Sequence, residues 1–210
     1  MIIINFKNYK TGNNALKLVK QIEKYLPKVI ICPSTIDIET ISQKTKLRVF
    51  AQHADYQESS RATGYSTLSS LKEAGAKGTL INHSEHKVPF YIIKKIIQKT
   101  KENKLKVILC ASSLNNIKKF IPLKPYAIAF EDPKLIATGK SITKYNSKAL
   151  KKFIQIIKKT NIIPVCGAGI STADDVGQAF QLGCKGVLIA SAIANFKNPS
   201  ILLNQLRKFQ

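Results

Sequence analysis

The sequence predicts a compact (β/α)8 barrel, one domain over residues 1–210, and three observations predict it. Short, almost wholly apolar runs occur eight times, and parallel strands buried on both faces read that way. A segment with apolar residues at helical spacing follows each run, so strands alternate with helices along the whole chain. No G-x-G-x-x-G follows any run, and an open doubly wound sheet would more often show that turn with about five or six strands. At 210 residues the chain falls at the short end for an eight-unit barrel.

The elements follow in order. Residues 2–6 form the first strand; this N-terminal run is too short for a signal segment and has no basic stretch before it. Ala15, Leu16, Val19, Ile22, Tyr25 and Leu26 mark the first helix, which Pro27 ends. Residues 29–32 are the second strand, and Pro33-Ser34-Thr35 opens a helix through Ile36, Ile38 and Ile41. Residues 48–51 are the third, with a long polar loop, 53–67, before a helix at 68–74. The fourth strand is 78–81, and its helix, 88–102, gathers Ile92, Ile93, Ile96 and Ile97 on one side. The fifth is 107–110, followed by a short helix at 114–120. The sixth is 126–130, and the next helix, 147–159, carries its stripe on Leu150, Phe153, Ile156 and Ile157. The seventh is 163–166, and a Thr-x-x-Asp capping pattern opens the helix at 172–182. The eighth is 186–189, and a helix at 199–209 closes the chain.

Composition narrows the function classes. An apolar fraction of 44% fits neither disorder nor a membrane protein, and no run approaches the roughly 18 apolar residues of a membrane span. A cytoplasmic protein with no membrane partner is expected. Cys32, Cys110, Cys166 and Cys184 are far apart with no C-x-x-C pair, as buried reduced thiols would be. The net charge of +22 raises a nucleic-acid partner. The lysines are dispersed singly and in pairs such as Lys94-Lys95 and Lys151-Lys152, with no basic tail and no Arg-rich, aromatic-interleaved patch. A solvated surface with a positive potential for anionic metabolites is therefore expected instead of a nucleic-acid binder.

In a barrel of this kind the site is built by the loops at the C-terminal ends of the strands. Those loops hold Asn5 and Lys7, then His83-Ser84-Glu85, Glu131, the turn Cys166-Gly167-Ala168-Gly169, and Ala190-Ser191. A cation, an imidazole and a carboxylate thus face one mouth, beside two small-residue turns able to offer backbone N–H groups to a phosphate. Glu131 stands ahead of a Pro133-started segment that closes on Thr138-Gly139, the layout of a base under a lid. His83 precedes Ser84, read as a helix start, where the positive helix end disfavours imidazolium. Asp174-Asp175 reads as charge in the first turn of a helix, and His53 and His86 read as structural. Neither metal nor cofactor is implied.

These residues, in this order, resemble the triosephosphate isomerases over the whole chain. The resemblance rests on Asn5-Phe6-Lys7, Ala51-Gln52, Asn82-His83-Ser84-Glu85, Glu131 with Ile136-Ala137-Thr138-Gly139, Cys166-Gly167-Ala168-Gly169 and Ala190-Ser191. The short length, Ala51-Gln52-His53 and the Cys-Gly-Ala-Gly turn are similar to the compact archaeal-type branch. The resemblance implies a TIM barrel that interconverts dihydroxyacetone phosphate and D-glyceraldehyde 3-phosphate through an enediolate, in glycolysis and gluconeogenesis. The family's known roles are carried over residue by residue: Glu131 as base, His83 as electrophile, Lys7 as the positive charge. Asn5, Phe6, Lys7 and the backbone around Ile136, Gly169, Ala190 and Ser191 would hold the substrate. The resemblance also implies a homodimer or homotetramer, with the loop at Thr63-Gly64-Tyr65 packing into a neighbour. The sequence departs from the family at Asp132, where Pro is usual; at Ala137, where Gly is usual and a positive φ would be costly; and at His86 and Lys87, where many relatives carry Arg. A Schiff-base aldolase would need a lysine where Glu131 stands. A non-catalytic basic barrel would show salt-sensitive polynucleotide binding and no turnover.

Overall fold

The computed structural model describes residues 1–57, 61–136 and 138–210. Eight parallel strands close a barrel in chain order, each pairing with its neighbour and β8 returning to β1. The strands are β1 (Ile2–Asn5), β2 (Ile30–Cys32), β3 (Arg48–Ala51), β4 (Gly78–Ile81), β5 (Lys106–Ala111), β6 (Ala127–Phe130), β7 (Ile163–Cys166) and β8 (Gly186–Ile189). The helices are α1 (Gly12–Tyr25), α2 (Ile38–Lys44), α3 (Leu68–Glu73), α4 (Phe90–Glu102), α5 (Leu114–Phe120), α6 (Ile142–Tyr145), α7 (Ser147–Ile157), α8 (Ala173–Gln181), α9 (Ser191–Ala194) and α10 (Ser200–Leu206).

Alternation along the strands divides the core in two. Ile3, Ile30, Phe50, Leu80, Ile108, Val165 and Leu188 point into the barrel, with Cys32, Cys110, Ala127 and Ala129 filling the narrower space. Ile2, Ile4, Ile31, Val49, Ile81, Val107, Leu109 and Ile128 point outward against the helices. The helical stripes meet them there: Ala15, Leu18, Val19 and Ile22 of α1, Ile93, Ile96 and Ile97 of α4, Leu150, Phe153 and Ile157 of α7. Each Val, Leu, Ile or Phe among them contributes roughly 1.5–3 kcal/mol on burial. Gly78 is required by the packing: a β-carbon there would lie 2.5 Å from the Phe50 ring and 2.3 Å from the Lys106 carbonyl. The bare backbone lets Phe50 occupy the bottom of the barrel.

The structure moves several boundaries. The helix expected from residue 88 starts at Phe90, because Val88 precedes Pro89 and is held out of the α region. The helix expected from residue 33 is a 3-10 turn, Thr35–Asp37, running into α2. The single-turn helices α6 and α9 carry no readable apolar period and escaped the sequence reading. All four cysteines are buried and unbridged. Among the described residues no helix is long and apolar enough to cross a membrane.

Candidate active site

Lys7 stands just past β1 with φ +46, a left-handed backbone that costs a lysine energy. Side chains fix it from both sides. Asn5 Oδ1 accepts the Lys7 N–H at 2.9 Å, and Gln52 Nε2 donates to the Lys7 carbonyl at 2.9 Å and to the Cys32 carbonyl at 3.0 Å. The chain turned this way delivers the ammonium to the mouth, where Nζ lies 2.6 Å from Glu85 Oε1.

His83 is buried at the end of β4. The helix expected at Ser84 is absent: residues 84–86 form a turn, closed by the His86 N–H donating to the His83 carbonyl at 2.9 Å. His83 therefore meets a single backbone amide and not a helix N-terminus. The Glu85 backbone N–H donates to His83 Nδ1 at 3.3 Å, which leaves the ring proton on Nε2. The Glu85 carboxylate, 3.6 Å from the same Nδ1, would favour the other tautomer, but it is half-exposed and committed to Lys7, whereas the amide is a fixed donor. Asn82, with φ +63, anchors this loop by donating to the Cys110 carbonyl at 2.9 Å and accepting the Val88 N–H at 3.0 Å.

Glu131 leaves β6 with its N–H on the Ala111 carbonyl at 2.9 Å. It is buried, 6% exposed, and its Oε1 lies 3.5 Å from His83 Nε2. Its Oε2 is buried with no hydrogen-bond partner among the described residues. A carboxylate oxygen kept from water and from donors is a poorly solvated, reactive base. Gly167 makes this seat possible, since a β-carbon there would lie 3.0 Å from Glu131 Oε1. Beneath it, burial and then the nearby Glu131 carboxylate push the Cys110 thiol well up, so it stays protonated.

Opposite these groups are the turns after β7 and β8. Ala168 and Gly169 both have positive φ, and a β-carbon at Gly169 would sit 2.0 Å from the Lys140 carbonyl. The C-terminal root of the lid therefore rests directly on bare backbone. At the other root Asp132 caps the 3-10 turn Pro133–Leu135: Oδ1 accepts the Lys134 N–H at 3.0 Å, and Oδ2 accepts from Asn146 Nδ2 at 2.6 Å. The unusual Asp132 is thus a hinge cap. Ala137 lies outside the described residues.

Asn5, Lys7, His83 and Glu131 share a cavity of about 320 Å3 with Ile136, Gly169, Ala190 and Ser191, within the size range of small-ligand pockets. Phe6 is not among them. It is fully buried in the outer core, with its N–H on the Cys32 carbonyl at 2.9 Å, so its expected place in substrate binding is corrected. Tyr9, Ser171 and Asn195 also line the cavity and were not anticipated. His53 and His86 stack at 4.0 Å; burial first, then His86, hold His53 below its ordinary range, while Asp55 opposes this.

Ser171 is held by α8. Thr172 Oγ1 accepts the Asp175 N–H at 3.1 Å, and Asp175 Oδ2 accepts the N–H groups of Thr172 at 3.0 Å and Ser171 at 3.1 Å. Burial opposes the Asp175 charge, but these bonds and the Lys144 ammonium outweigh it and hold the carboxyl below its usual 3.8. A depressed carboxylate stabilises above its unfolded pKa and loses that contribution as pH falls through the folded value. Asp175→Ala is expected to cost about 2 kcal/mol at pH 7, lowering Tm by roughly 4–8 °C. The gap from the parent protein should close below about pH 4 in thermal melts, since the unfolded carboxyl titrates near 3.9.

A family model described as triosephosphate isomerase matches residues 1–206 of this chain. The chain belongs to the triosephosphate isomerase family. The triosephosphate isomerase of Methanothermus fervidus is 36% identical, over 98% of this chain and 96% of its own length. That of Methanocaldococcus jannaschii is 35% identical over 100% and 99%, and that of Saccharolobus solfataricus 38% over 95% and 91%. These archaeal relatives agree with the compact-branch reading, and the closed barrel is the fold which triosephosphate isomerase membership implies.

Proposed function

We infer that this chain is an aldose–ketose isomerase that interconverts dihydroxyacetone phosphate and D-glyceraldehyde 3-phosphate, a step of glycolysis and gluconeogenesis. The observation that carries the reading is convergence. Lys7, His83 and Glu131, from loops after β1, β4 and β6, line one small cavity whose far rim is the glycine turn after β7 and the start of α9.

The chemistry follows from that arrangement. The substrate phosphate sits against the backbone N–H groups around Gly169, Ala190 and Ser191, with Ile136 and the lid above. The carbon next to the carbonyl then faces Glu131, which removes its proton; the C–H electron pair forms the carbon–carbon double bond of an enediolate. His83 Nε2–H donates to the carbonyl oxygen as charge develops there, and the Lys7 ammonium stabilises the same negative charge. A proton then moves through His83 Nε2 from the neighbouring hydroxyl to that oxygen, and Glu131 returns its own proton to the neighbouring carbon, so hydroxyl and carbonyl change places. Asn5 acts through Lys7, whose N–H it accepts. The lid, 132–139, excludes water, which protects the enediolate from expelling phosphate. The reaction balances with no redox partner, so the reading needs no cofactor and no metal.

The purified chain, given dihydroxyacetone phosphate alone, should produce D-glyceraldehyde 3-phosphate and exchange solvent deuterium into carbon-bound positions of the triose. A folded chain that does neither would defeat the reading. We further propose a cytoplasmic, single-domain enzyme over residues 1–210 that self-associates as a dimer or tetramer. The loop at Thr63-Gly64-Tyr65 supports this, since Tyr65 is 49% exposed near the mouth.

A further inference from the structure

The charge of +22 is dispersed along the sequence, but the fold sorts it. Seven loops lead from a helix into β2 through β8, and all lie at the barrel end opposite the catalytic mouth. Every one of them contains a lysine, and none contains an aspartate or a glutamate. β3 and β5 add exposed cations at their first residues, Arg48 and Lys106. Neighbouring strands stand about 4.8 Å apart. Cations on them therefore lie within one Debye length, about 8 Å at physiological salt, and sum into a single potential.

A recess of about 420 Å3 opens in this face between β3 and β5. Arg48, Lys72, Lys77, Lys104 and Lys106 surround it over a floor that includes Phe50, and no carboxylate lines it. The acids nearest this end are Glu23, Glu73 and Glu102, in the last turns of α1, α3 and α4. Two of these are paired with lysines of their own helices, Glu23 with Lys20 at 3.5 Å and Glu102 with Lys99 at 3.0 Å, and Glu23 also accepts from Thr45 Oγ1 at 2.7 Å and the Lys46 N–H at 2.6 Å on the loop into β3. Helix C-termini attract cations, which accounts for Lys24, Lys44 and Lys72. That effect fades within the last turn, and the loop and strand cations lie beyond it.

Three half-buried aromatic rings, packed against the core, lie beneath cations of this face. Lys106 Nζ lies 4.4 Å from the Tyr126 ring centroid, Lys24 Nζ 5.8 Å from that of Tyr25, and Lys208 Nζ 5.1 Å from that of Phe209. None of the large apolar side chains exposed elsewhere, Ile36, Phe90, Phe196 and Ile201 among them, belongs to these loops, so the face offers nothing to insert into lipid. A track of loop and strand cations around a recess that no carboxylate lines, with the edges of half-buried rings beside them, is complementary to a phosphodiester chain. We propose that the N-terminal face of the barrel is a second binding surface, for a strand of single-stranded nucleic acid, centred on the recess between β3 and β5. It is separate from the catalytic mouth and independent of the isomerase reading.

The test is fluorescence anisotropy of a labelled 20-nucleotide uridine RNA with the full chain. Neutralising about four phosphates predicts a salt slope near −3, so affinity should fall roughly 50-fold from 50 to 200 mM salt. Lys77→Glu/Lys104→Glu/Lys106→Glu should weaken binding at least tenfold and leave kcat/KM for the triose within twofold. Lys94→Glu/Lys148→Glu/Lys151→Glu, which changes net charge equally on the exposed flanks of α4 and α7, should weaken it less than threefold. Should the first variant lose its far-ultraviolet circular dichroism, the corresponding glutamine triple replaces it, with at least a fivefold loss expected. No salt-sensitive binding by the parent chain, equal losses in the two triples, or tighter capture by phosphatidylserine vesicles than by the RNA would each overturn the proposal.

Discussion

Glu131→Ala should lower kcat by roughly 10³–10⁴-fold, at the upper end of what a positioned general base contributes. The carboxylate is buried, one oxygen has no hydrogen-bond partner, and the other lies 3.5 Å from His83 Nε2. No other carboxylate lines the cavity among the described residues, so no neighbouring acid can take over. Glu131→Asp keeps the charge but withdraws it by one methylene. A misplacement of about 1 Å costs around 10²-fold when the reacting atoms must be aligned, so Asp should fall between parent and Ala. Binding of an unreactive triose-phosphate analogue should persist in both, because the proposed phosphate contacts are with the turns after β7 and β8 and not with Glu131. Steady-state kinetics with analogue titration would check this, and near-native turnover in either variant would remove Glu131 from the role. The alanine variant should fold, since it deletes a buried carboxylate of which one oxygen has no hydrogen-bond partner among the described residues.

The barrel was legible because its strands are short apolar runs and its longer helices carry broad stripes, as at Leu150, Phe153 and Ile157. The convergence of Lys7, His83 and Glu131 on one cavity was legible because each stands just past the C-terminal end of a strand, where this architecture places chemistry. Their supports were not. Gln52 serves the carbonyls of Lys7 and Cys32, and Asn82 that of Cys110, so each role depends on strand positions that only the closed barrel brings together. Phe6 was misplaced for a related reason. The N-x-K spacing points two side chains at the mouth, and the residue between them necessarily turns to the outer core. The tautomer of His83 likewise depends on a turn at 84–86 that the sequence reading took for a helix. The basic face escaped notice because each loop contributes only one or two lysines, and only closure sets them side by side.

Lys7→Ala should yield a folded protein whose kcat/KM falls by about 10²–10³-fold. Lys7 is the only Lys or Arg among the described residues that line the cavity with His83 and Glu131. Removing one preorganised charge from the region where an oxyanion forms costs about 3–4 kcal/mol of transition-state stabilisation. The fold should survive because the constraints on this position are made by backbone. The N–H on Asn5 and the carbonyl on Gln52 remain, and alanine tolerates φ +46 no worse than lysine does. The ion pair lost with Glu85 costs little, since that carboxylate is 56% exposed and stays hydrated. A Lys7→Ala/Glu85→Ala double variant separates the two possible causes of a loss. If the ammonium acts only by neutralising Glu85 beside His83, the double variant recovers activity. If it acts on the reacting oxygens, the double variant stays as slow as the single one, which is the expected result, and recovery to near-native rates would dismiss the electrostatic role.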